Sequence, residues 1–115
     1  VPPETPIVFA HWESFTVWLF QRTAGFPKRL RHSLTHRIEQ TALDIHGALI
    51  EARYGVARIE ALESANLDLE KLRLLLRLAR DLGSMPHASA DCAFEQVDEA
   101  GRMVGGWLKH AREAR

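Results

Sequence analysis

The chain has 115 residues, enough for one domain with a modest core. Its apolar share of 46 % and charged share of 26 % are ordinary for a soluble globular protein. No apolar run approaches the roughly 20 residues of a membrane span, so no membrane-spanning helix is expected. Net charge is zero, with 15 basic and 15 acidic residues, yet the charges fall in blocks. Residues 14–38 hold five Lys/Arg (Arg22, Lys28, Arg29, Arg31, Arg37), two histidines and no acid, whereas 39–70 hold seven acids against two arginines. Such blocks pair between antiparallel helices or divide the surface into basic and acidic faces. At the N-terminus Pro2, Pro3, Glu4 and Pro6 stand where a signal peptide would have a basic start and an apolar run, so none is expected. The one cysteine, Cys92, allows no intrachain disulfide and fits a reducing cytoplasm.

Residues 1–5 read as an extended lead. The first helix is predicted over about 6–23, with Thr5 as N-cap, Pro6 in the first turn and Gly25 as the stop. Val8, Trp12, Phe15 and Leu19 make its stripe; Trp18 and Phe20 fall off it. Phe26-Pro27 opens a second helix over about 27–54. Leu30, Leu34, Ile38, Thr41, Ile45, Leu49 and Ala52 form its core face, and Gly55 stops it. Gly47 in mid-helix suggests a close contact.

A third helix is predicted over about 57–82. It carries two apolar stripes: Leu62, Leu69, Leu72, Leu76 and Ala79, then Leu67, Leu74, Leu75, Leu78 and Leu82. Two stripes call for two packing partners, one inside a bundle and one on another subunit. After a loop containing Met85-Pro86, a fourth helix is predicted over about 90–111, with Phe94, Val97, Gly101, Val104, Leu108 and Ala111 on the beat of a left-handed bundle. No segment alternates like a strand. The expected fold is a single all-α domain over 1–115, an antiparallel up-down four-helix bundle.

Gly101, Gly105 and Gly106 stand inside the fourth helix, beside Trp107. Each interior glycine costs about 0.5–1 kcal/mol relative to alanine, so their absent side chains point to helix packing against a close neighbour. The glycine run lacks the preceding strand that a phosphate loop needs. His32 and His36 are four apart, but no third ligand stands nearby in sequence, so no metal or other cofactor is expected. Cys92 has no basic sequence neighbour that would activate it, and it reads as an ordinary cysteine. Asp98 and Glu99 precede Arg102 as helix-stabilising ion pairs. No catalytic constellation emerges, and the chain is read as no enzyme. The basic corner around Arg22–Arg37 suits either a solvated, acid-paired face or a polyanion surface that contacts phosphates without reading bases.

Four motifs, taken in order, resemble a known family. They are Phe26-Pro27-Lys28-x-x-Arg31-x-x-Leu34-x-x-Arg37-Ile38, Leu49-Ile50-Glu51-Ala52-Arg53-Tyr54, the run from Leu69 to Leu82, and Asp98-Glu99-x-Gly101-Arg102-Met103-x-Gly105-Gly106-Trp107-Leu108-Lys109. Over residues 7–112 the chain is similar to the four-helix-bundle family of the diversity-generating retroelement accessory protein (Avd) and its relatives encoded in intervening sequences of large-subunit rRNA. The resemblance implies a ring-shaped homopentamer with a central channel, with no catalytic activity of its own. It implies a reverse transcriptase as partner, and RNA or DNA bound through a basic surface. Lys28, Arg31, Arg37, Arg73, Arg77, Arg102 and Lys109 are the matched basic positions, and Arg22 and Arg29 extend the same corner. The alternative is a stand-alone cytosolic, oligomeric protein-interaction module without nucleic acid, in keeping with zero net charge.

Overall fold

The computed structural model describes the backbone of residues 4–114 and the side chains of residues 7–114. Four α-helices make up the described chain: α1 (Glu4–Thr23), α2 (His36–Tyr54), α3 (Arg58–Asp81) and α4 (His87–Glu113). No strand occurs among the described residues. Each helix packs on the next, and α1 returns against α4, which closes the packing in the manner of a bundle. The α3–α4 pair is antiparallel: Glu63 meets Arg112 towards one end, Arg73 meets Asp98 in the middle, and Arg80 lies over Phe94 towards the other. The molecule is elongated, 46 × 24 × 19 Å.

The apolar spacing explains which faces turn inward. Val8, Trp12, Phe15 and Leu19 of α1 are all buried, as are Ile38, Ile45 and Leu49 of α2 and Leu62, Leu69, Leu72 and Leu76 of α3. The Trp12 indole N–H donates to the Ala42 carbonyl at 3.0 Å, so the deepest aromatic ties α1 to α2 without leaving a polar atom unpaired. Trp107 is just as deeply buried, but its Nε1 has no partner. It packs edge-on to Phe9, with the Arg58 guanidinium 6.0 Å from its ring centroid.

The structure departs from the sequence expectations at three places. Helix α1 opens at Glu4, so Thr5 lies within the helix rather than capping it, and residues 1–3 of the expected lead lie outside the described residues. The second helix is not α-helical from residue 27. Pro27 is extended (ψ 137°), Lys28–Leu30 make a 3₁₀ turn, Arg31–Thr35 make a π turn, and α2 proper begins at His36. Leu34 and Thr35 of the π turn are both buried.

The third departure is in α4. This helix starts three residues earlier than expected, directly after Pro86, and turns a different edge inward. Its buried seam is Ala90, Ala93, Val97, Ala100, Val104 and Trp107, with Leu108 beside it, while Phe94, Gly101 and Ala111 are only half-buried. Val97, Val104 and Leu108 of the expected seam are buried, while Phe94 and Gly101 give way to their neighbours Ala93 and Ala100. Trp107 is the reason: turning the helix towards Gly101 would leave a large indole in water in exchange for burying a residue with no side chain.

Two glycines shape the connections. Gly83 adopts φ +76°, and the Gly83 and Ser84 N–H groups donate back to Arg80 and Ala79 carbonyls, closing α3 with a left-handed cap. At Gly55 an added Cβ would lie 2.7 Å from the Glu51 carbonyl oxygen, so a side chain there would disturb the end of α2.

Candidate nucleic-acid and self-association surfaces

The connection between α1 and α2 gathers the basic corner at one end of the molecule. Arg22 is exposed in the last turn of α1, its guanidinium 5.3 Å from the Trp18 ring centroid. Lys28 and Arg29 are exposed in the 3₁₀ turn, Arg31 in the π turn and Arg37 in the first turn of α2. None of these five makes an ion pair among the described residues. Unpaired, exposed cations stay solvated at little cost and keep their charge available to an anion.

The other predicted cations sit differently. Arg73 is clamped between Glu70 and Asp98, reaching Asp98 Oδ1 at 2.6 Å. Burial disfavours its charge, but the two carboxylates outweigh that and raise its pKa. Arg102 pairs with Glu99. Arg77 and Lys109 are exposed with no ion pair among the described residues. Lys109 lies near the far end of α4, away from the corner. The nine predicted contacts are therefore not one patch. Five lie on the α1–α2 connection and its flanking turns, two are engaged by carboxylates, and Arg77 and Lys109 are exposed on α3 and α4.

The predicted close neighbour of the α4 glycines is not found among the described residues. Gly101 and Gly105 are half-buried and Gly106 is exposed, and a Cβ added at any of them meets nothing within 4 Å. Only Trp107 of the four predicted packing residues is buried in the core. The second leucine stripe of α3 likewise faces outward: Leu67, Leu74, Leu78 and Leu82 are exposed and Leu75 is half-buried.

Helix α2 carries a matching outward stripe. Leu43, Ile50 and Tyr54 are 47 %, 53 % and 78 % exposed, and Gly47 lies between them at the same helical spacing. Its signal was present in the sequence as residues four, three and four apart opposite the core face. An apolar groove of about 570 Å³ runs between the π turn and α3, lined by Leu30, Leu34, Leu75, Leu78 and Leu82 with Arg37 at its edge. A second groove, about 710 Å³, lies between α1 and α4 beside Phe15, Trp18 and the exposed Cys92.

No group of three or more metal-capable side chains gathers among the described residues; His32 and His36 are exposed. His46 is half-buried, with Nε2 2.8 Å from Thr16 Oγ1, which itself donates to the Trp12 carbonyl. Desolvation lowers the pKa of His46, partly opposed by Glu13. A neutral imidazole donating to the threonine oxygen satisfies this arrangement.

The fold and these surfaces define a class before any relative is considered: an all-helical protein whose described surface offers exposed charge and apolar stripes. The chain belongs to the bAvd-like family of accessory proteins, whose family model matches residues 7–111. A comparison with curated proteins finds no match.

Proposed function

We propose that this chain is a non-enzymatic accessory protein that assembles into a ring-shaped homopentamer in a reducing cytoplasm. In that form it scaffolds a reverse transcriptase and its RNA or DNA in a diversity-generating retroelement. The family match over residues 7–111 carries this reading. The unpaired corner of Arg22, Lys28, Arg29, Arg31 and Arg37 supports the nucleic-acid part, and repetition of the corner around a ring would multiply its effective charge. Arg77 and Lys109 join as secondary contacts, while Arg73 and Arg102 would have to leave their carboxylates to take part. The outward stripes of α2 and α3 support the assembly, since stable interfaces have apolar centres.

Fluorescence anisotropy with a structured RNA across a salt series tests the nucleic-acid part. The expected result is micromolar or tighter binding that weakens steeply with salt, and no binding at low salt would overturn it. Native mass spectrometry should report about five subunits if each stripe finds a partner copy; a monomer would overturn the assembly. The second reading, an oligomeric protein-interaction module without nucleic acid, is favoured by the outward leucines of α3. Affinity capture from the native host separates the two, because a captured reverse transcriptase belongs only to the first.

A further inference from the structure

A closed ring with an odd number of copies cannot be built from two-fold contacts, which join copies in pairs. Each copy of the proposed homopentamer therefore needs two different, complementary surfaces. The groove between α1 and α4 has the shape of a receiving surface. It holds about 710 Å³, and its walls include Ile7, Phe15 and Trp18 of α1 with Cys92 and Gln96 of α4. The Phe15 and Trp18 rings stack with centroids 5.8 Å apart. His11 Nε2 donates to the Gln96 carbonyl at 3.0 Å, so this imidazole already has a partner within the chain. Arg22 closes one end of the groove, its guanidinium over the Trp18 ring. A half-buried tryptophan in an apolar groove is the kind of side chain that anchors interfaces. Gln96 also borders a small cleft lined by Glu95, Asp98 and Glu99, which gives the groove an acidic margin. Asp98 and Glu99 are engaged by Arg73 and Arg102. Glu95 is exposed and meets no cation among the described residues.

Two outward stripes could fill such a groove, and charge separates them. The α2 stripe brings acids. Asp44 and Glu51 are exposed beside Leu43 and Ile50, and neither meets a cation among the described residues. Arg53, the only Lys or Arg between residues 43 and 54, lies over the Tyr54 ring. The α3 stripe brings bases. Exposed Lys71 falls between Leu67 and Leu74 at the same helical spacing. Arg77 is exposed one turn beyond Leu74 and next to Leu78, with no ion pair among the described residues. The α2 stripe would set acids against the acidic margin, whereas the α3 stripe sets cations there. We infer that the α1–α4 groove of one copy receives the α3 stripe of a second copy. Leu67, Leu74 and Leu78 pack against Phe15 and Trp18 of the partner copy, and Arg77 reaches Glu95 of the partner copy. The groove lies between α1 and α4 and the stripe on α3, so one copy can use both at once, head to tail. The pairing rests on the assembly proposed above. It also draws Arg77 into the interface, away from secondary contacts with a nucleic-acid strand.

The test uses the full-length chain, whose single thiol, Cys92, already lies in the groove. Leu74→Cys and Ile50→Cys each add one thiol, at an exposed position of α3 or α2. A short bis-maleimide joins thiols that are close in the assembled protein, and a denaturing gel reads the products. Leu74→Cys should give a ladder up to the full ring, because each copy then offers one thiol to each neighbour. The native chain and Ile50→Cys should give none, and adding Cys92→Ser to Leu74→Cys should abolish the ladder. Arg77→Glu should raise the concentration at which the assembly dissociates by about three- to tenfold, and adding Glu95→Arg should restore it. Both side chains are exposed, so the circular dichroism of the separated chains should stay the same. A native chain that assembles, as read by native mass spectrometry, without a Leu74→Cys ladder would overturn this pairing and leave the assembly standing. A ladder from Ile50→Cys would put the α2 stripe in the groove and overturn it as well. A native chain that stays monomeric would defeat the pairing together with the assembly.

Discussion

Two regions of this molecule use the same residue types to opposite ends. At the α3–α4 seam, Arg73, Arg102 and Arg112 are each met by a carboxylate, and Arg80 lies over Phe94 and against Asp81. At the α1–α2 corner, Arg22, Lys28, Arg29, Arg31 and Arg37 have no such partners among the described residues. Zero net charge is thus not evenly spread neutrality. Several acids of α3 and α4 are engaged by basic side chains there, while the corner cations have no such partners among the described residues. A chain can carry a basic surface without being basic, provided its acids are engaged elsewhere.

The sharpest way to break this comparison is at the core beneath the seam. Trp107→Ala should cost about 3–5 kcal/mol, read as a large drop in thermal midpoint, because it empties the buried α1–α3–α4 junction. An unchanged midpoint would mean that α4 is not oriented by its tryptophan. Next in size are the glycines. Gly101→Ala and Gly105→Ala should each stabilise the isolated chain by about 0.5–1 kcal/mol, since the new methyl meets nothing within the chain. If those changes instead weaken the assembled form in light scattering, a partner copy approaches that edge of α4.

Smaller effects test the charges themselves. Arg73→Met should cost at most about 1 kcal/mol and leave strand binding intact, because its ion pairs are partly exposed and its charge already engaged. The triple change Arg22→Gln, Arg29→Gln, Arg37→Gln should shift stability by no more than about 0.5 kcal/mol. It should also flatten the salt dependence of strand binding by about two to three units in the log–log slope. The reverse pattern would exchange the roles of seam and corner. Smallest is a pH effect at His46. Its folded pKa lies below the ordinary value of 6.5, so as pH falls past that value the unfolded chain gains a proton that the folded chain resists. Stability should be flat above that pH and decline below it, and His46→Gln should reduce the decline in urea titrations.

The core of α1, α2 and α3 could be read directly from apolar spacing, because large side chains at positions three and four apart leave a helix no better face to bury. Helix α4 could be read only in its beat. Ala100 and Gly101 are both small and adjacent, so spacing alone could not choose the seam, and the choice fell to Trp107. The 3₁₀ and π turns before α2 carried no signal, since Leu30, Leu34 and Ile38 keep an unbroken helical spacing through them. Arg73 and Arg102 looked as available as Arg31, because pairing with acids on a neighbouring turn or helix depends on distances that sequence does not state. The Thr23–Glu39 hydrogen bond was hidden for a related reason: its partners come from separate elements, and isolated threonines are unremarkable in any helix.

The π turn also works as a phase adjuster. It spends one residue more than a regular turn would, so the chain before it is rotated relative to α2. Removing one residue from it, for instance Ser33, would let α2 extend backward as a continuous α-helix. The segment carrying Lys28 and Arg29 would swing by about 100° around the helix axis. Lys28, Arg29 and Arg31 would then face a different direction from Arg37, although none of them had been changed. Orientation of the corner is therefore a property of chain length in this segment, and single-residue insertions or deletions there can redirect its charge while the hydrophobic core of α2 stays as it is.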